Sequence, residues 1–388
     1  MKLELIATAT FGLEAVVKRE IEKLGYKIIK TEDGRVTFLG DERAVVRSNL
    51  WLRTADRIYV KMGEFKAKSF EELFQQTKAI EWEQIIPMDG KFPVVGTSVK
   101  SELHSVPACQ SIVKKAVVAR LGEFYMSDEM KGGEFRGKLP ETGAEYKIRF
   151  AALKDSFVLM LDASGAGLHK RGYRVKDVEA PMKETLAAAL VQLSFYRAER
   201  QLVDVCCGSG TILIEAAMME RNIAPGLGRD FASAHWDIIP ESVWKEERKA
   251  AYEAADYDRE LSIKGFDIER KAIEAAKANA EEAGVSDDME LLRMDMKKFE
   301  PDSRYGVVIS NLPYGKRVGT DPEIEAIYKR LAYLMRVHPT WSFFLITSDK
   351  ELEKALNISA DRRRKLYNGN IETTYYQCRG TRRPKTEK

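Results

Sequence analysis

The sequence is poor in the residues that build metal and disulfide sites. It has four cysteines and four histidines in 388 residues. Cys206 and Cys207 are adjacent while Cys109 and Cys378 stand alone, so paired metal-ligand spacing is missing. This argues against a disulfide framework or a zinc centre, and a reducing, cytoplasmic setting without bound metal is expected. His104 is the only histidine before residue 169 and reads as a surface or packing residue. No apolar run reaches the roughly 18 residues that a membrane helix needs. The first residues, with an early Glu4, lack the cleavage pattern of a signal peptide. Charge of one sign is also scarce: 63 basic against 60 acidic side chains leave +3, too little to announce a nucleic-acid binder. Two phosphate-binding signatures are absent as well. No Gly-Lys-Ser/Thr follows the glycines of "CCGSGT". The residue three beyond Gly210 is Leu213, where the dinucleotide fingerprint needs a small residue.

What is present is an ordinary globular composition, 44% hydrophobic and 32% charged, in a chain long enough for two or three domains. About the first 60 residues read as β-α-β-β, with Leu13, Val16, Val17, Ile21 and Leu24 on one helical face. Gly25 is expected to stop that helix and Asp33-Gly34 to turn a hairpin. A second module begins with a capping box at Ser69 and Glu72. It continues through the strand-like "KFPVVGTSVKS", the helical "QSIVKKAVVARLGEFY" and a hairpin turning near Lys154-Asp155. Nothing in these modules has catalytic spacing, so binding or positioning is their expected task. From about Pro181, helices and strands alternate. That grammar predicts an α/β, doubly wound and mainly parallel sheet, in which ligands sit at the carboxyl ends of the strands.

The strand ends carry the chemistry. "LVDV" runs into Asp204-x-x-x-Gly208-x-Gly210, where glycines let a backbone approach a ligand and the next helix offers free amides. "GFDIER" ends at Asp267, a carboxylate suited to two ribose hydroxyls, although a long insertion separates it from the glycines. "RMD" ends at Asp295, placed to accept from an adenine amine. Three such ends in sequence, without a phosphate loop, point to S-adenosylmethionine rather than ATP. The fourth end is "SNLPYGKR". Pro313 holds Leu312 out of the helical region, which would turn its carbonyl outward beside the Asn311 amide, with Tyr314 free to stack on a base. Two acceptors facing an exocyclic amine would aim its lone pair at a methyl donor. The stretch "HKRGYRVK", His169 to Lys176, interleaves cations with Tyr173 and could bind phosphates and stack on a base. The basic "DRRRKL" and "CRGTRRPKTEK" near the end read either as further phosphate contacts or as solvated surface and tail.

With "FGLEAVVKREIEKLG", "LDASGAGLHKRGYR", "APMKETLAAALV", "CGSGTILIEAAM", "APGLGR" and "YNGNIETTYYQ" in view, the chain resembles the THUMP-domain class I RNA methyltransferases. Within them it is most similar to the bacterial 23S rRNA guanine-N2 methyltransferases, in the free-standing form that matches the N-terminal half of a fused double enzyme. The resemblance implies a ferredoxin-like segment at 1–62, an RNA-gripping THUMP module at 63–165 and a Rossmann-like methyltransferase domain at 166–388. It also makes the insertion after the glycine loop a family feature. Cofactor contacts are then expected from Asp204, Cys206, Gly208, Ser209, Gly210, Thr211, Asp267, Ile268, Asp295, Met296 and Asn311. Catalysis falls to Asn311, Leu312, Pro313 and Tyr314, and RNA contacts to Lys170, Arg171, Tyr173, Arg174, Lys316 and Arg317. The expected partner is 23S rRNA or a ribosomal precursor; the oligomeric state, monomer or weak dimer, is not legible. Two positions depart from the family pattern. Leu312 replaces the first proline of Asn-Pro-Pro-Tyr, and Val205-Cys206 stand where Pro-Met or similar is usual. Neither supplies a side chain that the mechanism requires. An adenine-N6 DNA methylase and a tRNA guanine-N2 methyltransferase are the rival readings. A cysteine-nucleophile pyrimidine methylase is disfavoured because no cysteine adjoins a proline at a strand end.

Overall fold

The computed structural model describes residues 1–125, 139–176, 181–313 and 322–381. The first half builds β1 (Leu3–Ala9), α1 (Glu14–Lys23), β2 (Lys27–Glu32), β3 (Arg35–Gly40), α2 (Glu42–Trp51) and β4 (Ala55–Lys66). It continues with α3 (Phe70–Lys78), β5 (Val94–Val99), α4 (Val106–Tyr125), β6 (Ile148–Leu153) and β7 (Ser156–Asp162). Local chemistry explains the element ends. Gly25 follows α1 at φ +89°, a left-handed stop that a side chain would strain. Asp41 caps α2 by accepting from the Ala44 amide at 2.8 Å. Ser69 and Glu72 form the reciprocal box that starts α3. Lys154 and Asp155 both take positive φ, the twist that a two-residue hairpin between β6 and β7 demands.

These strands form one sheet in the order β2-β3-β1-β4-β7-β6-β5. β4 is shared: its first half pairs with β1 (Leu5↔Val60 to Ala9↔Ala55) and most of its length with β7 (Tyr59↔Asp162 to Lys66↔Ser156). A boundary at residue 62 therefore falls inside a continuous strand. The β-α-β-β reading of the first 60 residues also omitted α2 and the start of β4.

The second half contains α5 (Glu184–Ser194), β8 (Gln201–Asp204), α6 (Thr211–Glu220), α7 (Glu241–Glu253), β9 (Ile263–Asp267), α8 (Arg270–Glu282) and β10 (Met289–Arg293). Then follow β11 (Gly306–Asn311), α9 (Pro322–Val337), β12 (Ser342–Thr347), α10 (Leu352–Leu356), β13 (Arg362–Asn368) and β14 (Ile371–Cys378). The sheet order is β10-β9-β8-β11-β12-β14-β13, parallel from β10 to β12 and closed by an antiparallel hairpin. Apolar clusters cover both faces, one under α5, α6 and α8 and the other under α9 and α10. The "DRRRKL" stretch is thus the start of strand β13, not a tail.

The insertion between α6 and β9 joins the other half. Phe231, Trp236, Ile239 and Trp244 share a core with the N-terminal sheet. Trp236 stacks on Tyr146 at 5.2 Å between ring centroids, and its indole N–H donates to the Glu145 carbonyl at 3.0 Å. Among the described residues, no helix is long and apolar enough to cross a membrane.

Candidate active site

Strand order reverses at β8, with β9 on one side and β11 on the other. Open α/β sheets hold ligands in the crevice above such a switch point. The four strand ends singled out by sequence meet there. A cavity of about 180 Å³ is lined by Cys206, Asp267, Ile268, Asp295, Met296 and Pro313, together with Val205, Lys297, Glu323 and Ile327.

The loop after β8 is shaped for close approach. Gly208 (φ +53°) and Gly210 (φ +79°) are both left-handed, and a Cβ at Gly208 would meet nothing within 4 Å. Gly210 differs: its Cβ would come within 3.1 Å of Ala276, so it fixes helix packing while Gly208 leaves space for a ligand. Asp267 ties the two halves of the site. Its Oδ2 accepts from the Gly208 amide at 2.9 Å and its Oδ1 from the Glu269 amide at 2.9 Å. Asp295 accepts from the Lys297 amide at 2.9 Å and pairs with the Lys297 ammonium at 3.0 Å. Burial pushes the Asp295 carboxyl upward, but those bonds from Lys297 outweigh it and hold it below its ordinary range. Two acids, an open glycine, the exposed Ile268 and the buried Met296 suit a nucleoside with a flat base. The residues therefore fit S-adenosylmethionine.

Asp204 does a different job. It is buried, and its Oδ1 accepts from the Cys206 amide at 3.1 Å and from the Ser310 hydroxyl at 2.7 Å. Ser310, the residue before Asn311, was not foreseen; its bond ties the end of β11 to Asp204 at the end of β8. Burial pushes the Asp204 carboxyl from 3.8 up to about 7. The folded chain then keeps a proton between those values that the unfolded chain has lost, so stability falls as pH rises through that window. Asp204→Asn is expected to flatten this slope, measured as urea midpoints at successive pH values.

Asn311 ends β11 opposite Ile346, and the Leu312 amide donates to the Ile346 carbonyl at 3.0 Å. The Leu312 side chain is buried with Val308 and Ile324, so packing holds the turn that a proline ring would otherwise stiffen. Tyr314, Lys316 and Arg317 lie outside the described residues. Burial drives the Cys206 and Cys207 thiols far above their usual range, which makes them poor nucleophiles.

The stretch 169–176 is corrected. Only Lys170 among its four candidate RNA contacts is exposed. Arg171 is 4% exposed, pairs with buried Glu215 at 3.3 Å and donates to the Leu168 carbonyl at 2.6 Å. Tyr173 is buried and donates its hydroxyl to Glu215 at 3.1 Å. Arg174 reaches Glu184 at 2.8 Å, Ser209 at 3.4 Å and Thr211 at 3.3 Å. Asn279 of α8, also unforeseen, accepts from the amides of Val175 and Lys176 and donates to the Ser209 carbonyl. The segment is a brace behind the glycine loop. The hydroxyls of Ser209 and Thr211 face that brace and not the cavity.

Comparison with known proteins agrees with this geometry. Residues 171–377 match the family described as RMKL-like, methyltransferase domain, residues 4–59 the RlmL ferredoxin-like domain and residues 67–162 the THUMP domain. The chain belongs to the RMKL-like methyltransferase family. It is 48% identical to the Bacillus subtilis protein named "Putative RNA methyltransferase YpsC", over 100% of this chain and 98% of that one. The crystal structure of SMU.472 complexed with SAH superposes with a TM-score of 0.92 at 42% identity, covering 99% of both chains. A Listeria monocytogenes structure described as a "predicted N6-adenine-specific DNA methylase" does so with a TM-score of 0.91 at 46% identity, covering 98% of this chain and 97% of that one. S-adenosylmethionine is thus the cofactor of this methyltransferase, as the first three strand ends imply.

Proposed function

We propose that this chain methylates the exocyclic N2 amine of guanine in RNA of the large ribosomal subunit, acting in the cytoplasm. The observation that carries this reading is the meeting of Asn311-Leu312-Pro313 with the acidic cleft at the switch point, where Pro313 lines the same cavity as Asp267 and Asp295. When bound, S-adenosylmethionine supplies an electrophilic methyl group on sulfur. Asp267 and Asp295 hold its ribose and base. The Asn311 side-chain oxygen and the Leu312 carbonyl accept from the amine, which points the nitrogen lone pair at the methyl. Their dipoles also oppose the positive charge that develops on nitrogen. The target base must leave its stack to reach them. The THUMP module and the likeness to YpsC support RNA as the polymer.

The same Asn-x-Pro chemistry serves adenine, and the Listeria likeness keeps a DNA adenine methylase as the second reading. Methyl transfer from tritiated cofactor to unmodified rRNA, tRNA and DNA separates them, with the product nucleoside read by mass spectrometry. N2-methylguanosine in large-subunit rRNA is expected. Label confined to tRNA, or to adenine in DNA, overturns the proposal.

A further inference from the structure

The carboxyl edge of the second sheet holds the methyl-transfer cleft. The opposite edge, where α5 and α6 end, opens on a larger cavity of about 890 Å³ between the two halves of the chain. Arg19 and Lys23 of α1 line it, as does Phe195 just after α5. The start of β13 lies beside α1: Arg364 sits on the Leu366 face of the hairpin, with Arg19 and Arg362 as its charged neighbours. Burial, and then repulsion from those two guanidinium groups, holds Arg364 below its ordinary range. Its Nε is buried without a hydrogen-bond partner among the described residues.

Like charges crowd here although acids stand nearby. Those acids are engaged: Glu22 by Lys18, Glu220 by Arg259, Glu247 by Arg43, and Asp361 by the Arg379 amide. Glu20 accepts from the Arg53 and Thr54 amides and the Thr54 hydroxyl. Phe195 adds an aromatic surface. It is 51% exposed, and its backbone takes a left-handed φ of +54°, costly for a bulky side chain. The Arg379 guanidinium lies 5.9 Å from its ring centre. A solvent-facing phenylalanine held in strained backbone, on a face where Arg19, Arg362, Arg364 and Arg379 make no ion pair among the described residues, has the two elements of a single-strand nucleic-acid platform.

We propose that Arg19, Arg362, Arg364 and Phe195 bind a single-stranded segment of the substrate RNA, on the face remote from the methyl-transfer cleft. This rests on RNA being the substrate. The test measures binding of the full chain to a labelled single-stranded RNA across a salt series. In Arg19→Gln/Arg362→Gln, the slope of log affinity against log salt should become shallower by about 1.4, roughly 0.7 per lost phosphate contact. Phe195→Gly suits the left-handed backbone, so its melting temperature should hold or rise while affinity falls roughly five-fold or more. Unchanged slope and affinity in both folded variants overturns the platform alone. Absence of RNA binding by the parent protein overturns the RNA reading and the platform with it.

Discussion

Asn311→Ala is expected to lower methyl transfer by roughly 10²–10³-fold, while affinity for S-adenosylhomocysteine stays within a few-fold. The residue ends β11 two positions before Pro313, which lines a cavity whose other walls include Asp267 and Asp295. Removing its amide takes away the acceptor proposed for the reacting amine and leaves those walls in place. Asp267→Ala should do the reverse. It removes the carboxylate expected to hold the ribose and strips the Gly208 amide of its 2.9 Å partner, so the cofactor dissociation constant should rise first. Calorimetry for binding and single-turnover transfer for chemistry distinguish the two. Loss of cofactor binding in Asn311→Ala would contradict the role assigned to it.

The second large effect falls on stability. Arg171→Leu should destabilise the fold by roughly 3–5 kcal/mol, because one partner of a buried ion pair is removed and Glu215 is left buried without it. Glu215 is fully buried, and Arg171 also donates to the Leu168 and Arg53 carbonyls. Arg53 itself donates to the Ile223 carbonyl at 2.6 Å, so the loss should loosen contact between the two halves of the chain. Urea unfolding reads this directly. Lys170→Gln, on the exposed neighbour, should be nearly neutral by the same measure. A folded Arg171→Leu protein of parental stability but weakened RNA binding would restore the sequence-based role.

That reversal marks where sequence reading stops. Ser69 and Glu72, or Lys154 and Asp155, declare their roles within four residues, because capping and turn chemistry are local. The gathering of Asp204, Asp267 and Asp295 on one sheet edge was legible for a different reason: each stands at or within two residues of a strand's end, and a parallel sheet collects such ends together. Arg171 looks like any surface cation until Glu215 arrives from 44 residues away to neutralise it. Asn279 sits in an alanine-rich helix, with nothing nearby to show that it would hold the backbone at 175–176. The closing hairpin did carry an Asn-Gly turn signal, but its three arginines drew attention to charge instead of to the alternation of Leu366, Thr373 and Tyr375.

The shared strand β4 bears on how the chain can be divided. Its 12 residues carry pairings that belong to both N-terminal modules. A fragment cut near residue 62 would strip residues 160–162 of β7 of their β4 partners and leave that end open to pairing with another molecule. The THUMP module is therefore not a cassette that can be excised at its sequence boundary. Grafting it onto another methyltransferase requires the whole sheet, residues 1–162, as a single transferable part.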